Sequence, residues 1–290
     1  MKYEERALAF CCEEAWLYGI ASMPQQPDQR GLLIVVGGPQ YRVGSHRQFT
    51  LLARQLAATG IPVLRFDYRG MGDSEGDART FEEVQTDLRC AMDKFFAEAP
   101  FLREVVILGL CDAASAALFY AYQDYRVTGL VLLNPWIRTE EGSAQAYLQH
   151  YYAARLFQRE LWRKIWRGDF DFLGAVRSLS KTIQAASPLK RNRGAAPTGT
   201  VHASRGLTSL PERMFYGLDR FTGRVLLILS GNDLTAREFQ DVIEGSRQWQ
   251  KLIRPPRVSR HALPAASHTF SRREWRDQIG KWTTEWMHSW

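Results

Sequence analysis

The sequence predicts an α/β protein: a mostly parallel sheet of eight strands, helices on both of its faces, and a helical cap inserted after the sixth strand. Three observations carry that expectation. Short, wholly apolar runs alternate with amphipathic stretches at regular intervals, and strands apolar on both sides belong to parallel sheets covered on both faces. The chain opens on a hairpin pattern before the alternation starts. After Pro135 the rhythm breaks and resumes only at Val225–Leu229.

The elements follow in order. Leu8–Cys12 and Trp16–Ala21 read as the opening hairpin, with Glu13-Glu14-Ala15 between its strands. Leu32–Val36 is a buried strand ending at Gly37-Gly38, and Phe49–Ala58 has helical spacing that stops at Gly60. Pro62–Phe66 reads as a strand, Phe81–Phe96 as a long amphipathic helix, and Val105–Gly109 as the next strand. Asp112–Tyr122 is helical, and Val127–Leu133 is again a buried strand. A strand at Val225–Leu229, another around Val258–Leu263 and a helix from Arg272 to Met287 close the chain. This assigns residues 1–136 and 222–290 to the core and 137–221 to the cap. The cap is helical at first (Gln145–Arg167) and rich in aromatic residues, among them Tyr147, Tyr151, Phe157, Trp162 and Trp166. Ala186–Leu210, punctuated by Pro188, Gly194, Pro197, Gly199 and Gly206, is loop-like.

Composition sets limits on function. With 290 residues, 45% of them hydrophobic and 24% charged, the chain is too apolar for disorder and too mixed in charge for a fibre. The apolar run around Leu32–Val36 is far shorter than the ~20 residues of a spanning helix. The start, Met1-Lys2-Tyr3-Glu4-Glu5-Arg6, lacks an apolar signal core, so a secretory leader is not expected. Cys11, Cys12, Cys90 and Cys111 form no CxxC pair and show no metal-ligand spacing. The first three read as packing thiols, and a reducing cytoplasm is the simplest home. No cofactor and no metal is expected.

The formal charge of +7 is unevenly spread. Residues 1–150 carry 14 Lys/Arg against 19 Asp/Glu, residues 151–224 carry 14 against 5, and residues 225–290 carry 10 against 7. A basic excess gathered in the cap argues against nucleic-acid binding over the whole surface. It points to an anionic substrate or carrier, or to a membrane surface, on the cap side. Leu161–Trp166 sets basic beside aromatic residues, which suits an interfacial helix. It also suits a lid helix that buries its aromatics and solvates its charges, and the lid is the preferred reading.

The chemistry centres on Gly109-Leu110-Cys111-Asp112-Ala113, where a buried strand turns sharply into a helix. This is the layout of a nucleophile elbow, G-x-S-x-G, with Cys111 as nucleophile and Ala113 in place of the second glycine. Strand and helix pass closely at such a turn, so Gly109 and Ala113 must be small. Cys111 would then sit at a helix N-terminus, which favours a thiolate and a developing oxyanion. An acid and a histidine should follow in chain order. Asp233 ends the strand Val225–Leu229 in the turn Ser230-Gly231-Asn232-Asp233, and His268 lies in a loop before the last helix. A turn-capping or helix-capping aspartate and a satisfied structural histidine are the bland readings of each residue alone; the ordered set favours a Cys111–His268–Asp233 triad. The other plausible acid position, after the sixth strand, holds Asn134-Pro135. Pro39 has no N–H, so the backbone of Asp112 with that of Gln40 or Gly38 is expected to hold the oxyanion. The Gly-punctuated loop Arg65–Gly76 reads as scaffold.

These motifs carry a resemblance to the α/β-hydrolase superfamily over nearly the whole chain: FDYRGMGDSEG (Phe66–Gly76), GLCDA (Gly109–Ala113), SGNDL (Ser230–Leu234) and ASHTF (Ala266–Phe270). More narrowly, GGPQYRVGSHRQF (Gly37–Phe49), GLCDAASAALFY (Gly109–Tyr120) and LLNPW (Leu132–Trp136) resemble the exosortase A system-associated hydrolases, subtype 1. The resemblance implies a bacterial cytoplasmic protein encoded near exopolysaccharide and protein-sorting machinery, and it implies no particular substrate. Cysteine in place of serine departs from the general superfamily pattern; dienelactone hydrolases and polyester synthases share the departure. The expected reaction is cleavage of a small-molecule acyl ester or thioester, anionic or carrier-linked, through a covalent acyl-enzyme. Two rivals stand beside it: an acyltransferase passing the acyl group to an alcohol or sugar, and a non-catalytic scaffold or membrane-surface adaptor.

Overall fold

Ten cross-strand pairs, from Tyr3 opposite Pro24 to Cys12 opposite Ala15, join β1 (Tyr3–Cys12) antiparallel to β2 (Ala15–Pro24). The turn between them is Glu13-Glu14, with Glu13 at a positive φ of 55°. In the computed structural model the described residues are 2–38, 40–137 and 209–290. The chain divides into two units, Met1–Ile137 with Pro211–Trp290, and Arg138–Leu210. The first of these is the subject below. The expected cap helix Gln145–Arg167 and nearly all of the loop Ala186–Leu210 lie outside the described residues.

The sheet continues with β3 (Arg30–Val35), β4 (Val63–Phe66), β5 (Glu104–Leu110), β6 (Val127–Leu133), β7 (Arg224–Asn232) and β8 (Val258–Ser267), in the order β1-β2-β4-β3-β5-β6-β7-β8. β2 pairs antiparallel with β4, and every pairing from β4 to β8 is parallel. The eight-stranded, mostly parallel sheet is therefore as expected. Its helices are α1 (Gln48–Ala57), α2 (Gln85–Glu98), α3 (Asp112–Ala121), α4 (Leu210–Arg220), α5 (Leu234–Gly245), α6 (Arg247–Leu252) and α7 (Arg273–Met287). One face of the sheet, with Leu32, Ile34, Val106, Leu108, Val131, Leu226 and Ile228 fully buried, packs against Leu52 and Leu56 of α1 and Ile279 and Trp286 of α7. Each such side chain contributes about 1.5–3 kcal/mol on leaving water. This packing holds the C-terminal ends of β3, β5, β7 and β8 in fixed mutual positions.

Three departures from expectation have local causes. α2 starts at Gln85 rather than Phe81, because the Glu83 carboxylate accepts from the N–H (3.3 Å) and hydroxyl (3.1 Å) of Thr80 and closes a separate turn. Phe81 is thereby left off the helix and stacks on Phe119, with ring centroids 6.3 Å apart. Pro211–Phe221, assigned by sequence to the cap, groups with the core. There Met214, Leu218 and Phe221 are buried, and Gly217 allows α4 to approach the Leu118 carbonyl. α5 and α6 had no counterpart in the sequence reading. Asp233 and Ser246 cap them, and α5 buries Ala236, Phe239 and Ile243 along one face.

Candidate active site

Strand β5 runs into α3 with one residue between them, Cys111, at φ 63° and ψ −125°. That conformation is costly for any residue with a side chain. It is held by hydrogen bonds from the Cys111 N–H to Leu133 O (2.9 Å) and from the Trp136 and Ala114 N–H groups to Cys111 O (both 3.1 Å). Ser115 adds a bond from its hydroxyl to Trp136 O at 2.6 Å. The demand for small residues is met as the spacing requires: a side chain at Gly109 would begin 2.5 Å from the Ala113 carbonyl group. Gly109→Val is therefore expected to destabilise the fold by about 1–3 kcal/mol and to slow alkylation of Cys111. Thermal unfolding and iodoacetamide labelling measure both, and unchanged values would show that strand and helix do not need this close approach.

The acid and the histidine arrive on neighbouring strands. Asn232 of β7 pairs with Ser267 of β8, so the residues that follow, Asp233 and His268, emerge side by side. Asp233 Oδ2 bonds His268 Nδ1 at 2.8 Å. The same carboxylate caps α5, accepting from Thr235 N (3.3 Å) and Ala236 N (3.1 Å). Helix cap and imidazole partner are thus one role: the cap bonds aim the carboxylate. His268 and Cys111 line the same cavity. Asp233 first and Cys111 second push the His268 pKa up to about 10, against the opposing effect of burial. The site therefore favours an imidazolium beside the sulfur.

On the oxyanion side the two candidate amides of the loop after β3 have different partners. Gln40 commits its N–H to Gly38 O at 2.8 Å, and its side-chain oxygen accepts from Ser45 N at 3.0 Å. It shapes the loop after β3 and is not a free donor. Gly38, at φ 62°, turns its N–H toward α3, where it meets the Asp112 carboxylate (2.9 Å). Ala113 N–H also donates to that carboxylate, at 3.0 Å. Burial raises the Asp112 carboxyl above the ordinary carboxylate range, opposed by those amides, by its own N–H and by His268.

Two further residues brace the site, of which Asn134 carries no support signal in the sequence. Asn134, fully buried at φ 43°, donates from Nδ2 to Ser230 Oγ (2.8 Å) and to the His268 carbonyl (2.9 Å), and accepts from Ser230 N (2.8 Å). It ties the ends of β6 and β7 to the histidine loop. The Arg65–Gly76 loop is scaffold: Asp67 accepts from Arg42 N (2.5 Å) and from the Arg42 guanidinium, bracing the segment that follows Gly38. A cavity of about 390 Å³ opens over Cys111 and His268, walled by Phe49, Phe81, Leu110 and Trp136. Among the described residues, no group of three or more His, Cys, Asp or Glu is disposed to hold a metal ion, and no helix is long and apolar enough to cross a membrane.

Comparison with known proteins gives consistent relatives. Residues 32–277 match the model of the Alpha/beta hydrolase family. The Pyrococcus furiosus esterase Pf2001 superposes with a TM-score of 0.65 at 15% identity, covering 99% of this chain and 92% of its own. Est1E from Butyrivibrio proteoclasticus, with ferulic acid bound, gives 0.59 at 14% identity, covering 97% and 98%. Dienelactone hydrolase from Anabaena variabilis gives 0.57 at 16% identity, covering 99% of each chain. Among curated proteins, no sequence matches this chain.

Proposed function

Because this chain belongs to the Alpha/beta hydrolase family, we propose that it cleaves an ester or thioester through Cys111, His268 and Asp233. The observation that carries the reading is the Asp233–His268 hydrogen bond with His268 and Cys111 facing one cavity. In the proposed reaction the Cys111 thiolate attacks the substrate carbonyl carbon, forming a C–S bond while the carbonyl electron pair moves onto oxygen. Backbone amides of Gly38 and the start of α3 stabilise that oxyanion. The His268 imidazolium gives its proton to the departing alkoxide or thiolate as the acyl–heteroatom bond breaks. His268, now neutral, takes a proton from water, the resulting hydroxide attacks the thioester, and the carboxylic acid leaves as Cys111 is restored. Asp233 keeps the proton of Nδ1 in place throughout.

Phe49, Phe81 and Trp136 around the cavity favour an apolar or aromatic acyl group. Two of the structural relatives are an esterase and a dienelactone hydrolase, which supports carbonyl-ester chemistry. The charge of the insertion favours an anionic or carrier-linked substrate. The exosortase A system-associated subtype, with its bacterial cytoplasmic setting, rests on the motif resemblance alone.

Incubation with p-nitrophenyl acetate and with an acyl thioester, followed by intact-mass and peptide mapping, tests the proposal. Acylation of Cys111 and release of free acid without an added acceptor are expected. A stable adduct that turns over only when an alcohol is supplied would make the protein a transferase. Undiminished cleavage by Cys111→Ala would end the cysteine mechanism.

A further inference from the structure

Backbone amides beside Cys111 hold the Asp112 carboxylate. Gly38 N–H donates to Oδ2 at 2.9 Å and Ala113 N–H to Oδ1 at 3.0 Å. The residue's own N–H bonds the same carboxyl. These amides, from the loop after β3 and the first turn of α3, flank the nucleophile and are the donors available for stabilising negative charge there. The fit is shaped for the purpose: any side chain at Gly37 would run into Asp112 Oδ1. We propose that Asp112 is a built-in occupant of the oxyanion cradle, a carboxylate plug that the carbonyl oxygen of a well-bound substrate displaces at each turnover. The proposal rests on reading Cys111 as the nucleophile and these amides as its cradle.

Electrostatics makes displacement obligatory. A carboxylate and an oxyanion within one hydrogen-bond length of the same amide repel each other strongly in a buried site. Rotation about the Asp112 side chain is enough to clear the cradle, because α3 holds its backbone. The groups facing the carboxylate are His268 beyond β8, Tyr68 beyond β4 and Cys111 beside it. Burial leaves the carboxyl with a pKa above its ordinary range despite three N–H partners; its charge is therefore incompletely compensated, which eases its departure. Asp112 is on this account specificity-determining. Substrates that fill the aromatic cavity offset the cost of expelling it, and small carbonyl compounds do not.

Alkylation chemistry tests the plug without relying on ester cleavage. Iodoacetamide and iodoacetate form the same S–CH2 bond with loss of iodide, but only iodoacetate brings a carboxylate that seeks the cradle. The rate ratio of iodoacetate to iodoacetamide at Cys111 is compared in the folded wild type, Asp112→Ala and Asp112→Asn. At least a tenfold rise is expected in Asp112→Ala, which empties the cradle. A smaller rise is expected in Asp112→Asn, which removes the charge but keeps the bulk. A ratio unmoved in both folded variants overturns the proposal. Equal rises in the two reduce the effect to charge repulsion and overturn it as well. Hydrolysis of p-nitrophenyl acetate is followed in parallel. A shifted ratio with no ester cleavage by any form leaves the plug standing while the hydrolase reading falls.

Discussion

Replacing His268 by alanine is expected to lower kcat/KM for ester cleavage by about 10⁴-fold and to slow alkylation of Cys111 by iodoacetamide. In the intact site the sulfur faces an imidazolium whose pKa is pushed up to about 10. That positive charge attracts the negative charge that develops on sulfur, so the variant should label about tenfold more slowly at pH 7. Turnover depends on pH as well. The proton given to the leaving group comes from the imidazolium, so wild-type acylation declines as pH rises through about 10. Stopped-flow labelling and initial rates across pH measure both limbs. Equal labelling of the two proteins at pH 7 would break the proposed link between His268 and Cys111.

Asn134→Asp should produce the largest loss of stability of any single-atom-scale change near the site, about 3–5 kcal/mol at pH 7. Asn134 is fully buried, and its Nδ2 bridges Ser230 Oγ and the His268 carbonyl. A carboxylate there still accepts from Ser230 N but sets an unpaired charge against the carbonyl oxygen of the histidine loop. Burial raises the folded-state pKa of this new carboxyl above its unfolded value of about 3.9. The deficit is therefore absent below about pH 3.9 and grows as pH rises through the folded-state value. Urea denaturation of variant and wild type at pH 4 and pH 7 reads the difference. A deficit equal at the two pH values would rule out the buried charge as its cause. Since the same bond holds the His268 backbone, kcat should fall while KM changes little; Asn134→Ala, which adds no charge, separates the two effects.

The sheet was legible because buried parallel strands leave a blunt signal: Leu32–Val36, Val105–Gly109, Val127–Leu133 and Val225–Leu229 are continuous apolar runs, and all lie in observed strands except Val36, one residue past the end of β3. β1 reads short in the sequence because its first five residues, Tyr3–Ala7, hold a place at the sheet edge by backbone pairing while Glu4, Glu5 and Arg6 stay exposed. α5 has no periodic signal strong enough to read in one dimension, although Asp233 reads as a turn or helix cap as well as a candidate acid. In the structure its carboxylate caps the helix and bonds His268 Nδ1. The charge pattern also sharpens against the described boundaries. Residues 138–208 carry 12 Lys/Arg against 5 Asp/Glu, and the described residues carry 26 of each. The net charge of the chain thus belongs wholly to the insertion.

The sequence by itself determined the fold class and the sharp strand-to-helix turn at Cys111, and it sets the candidate residues Cys111, Asp233 and His268 in chain order. Each depends on local periodicity or on residue size at a turn, and such signals survive in one dimension. Only the tertiary structure decided what surrounds them. Asn134 gains its partners from β7 and the loop after β8, and Asp112 finds its cradle through an amide 74 positions earlier in the chain. Hydrogen bonds between residues so far apart are set by how strands are ordered and packed. No stretch of sequence announces that the carboxylate after Cys111 folds back onto the amides of Gly38 and Ala113.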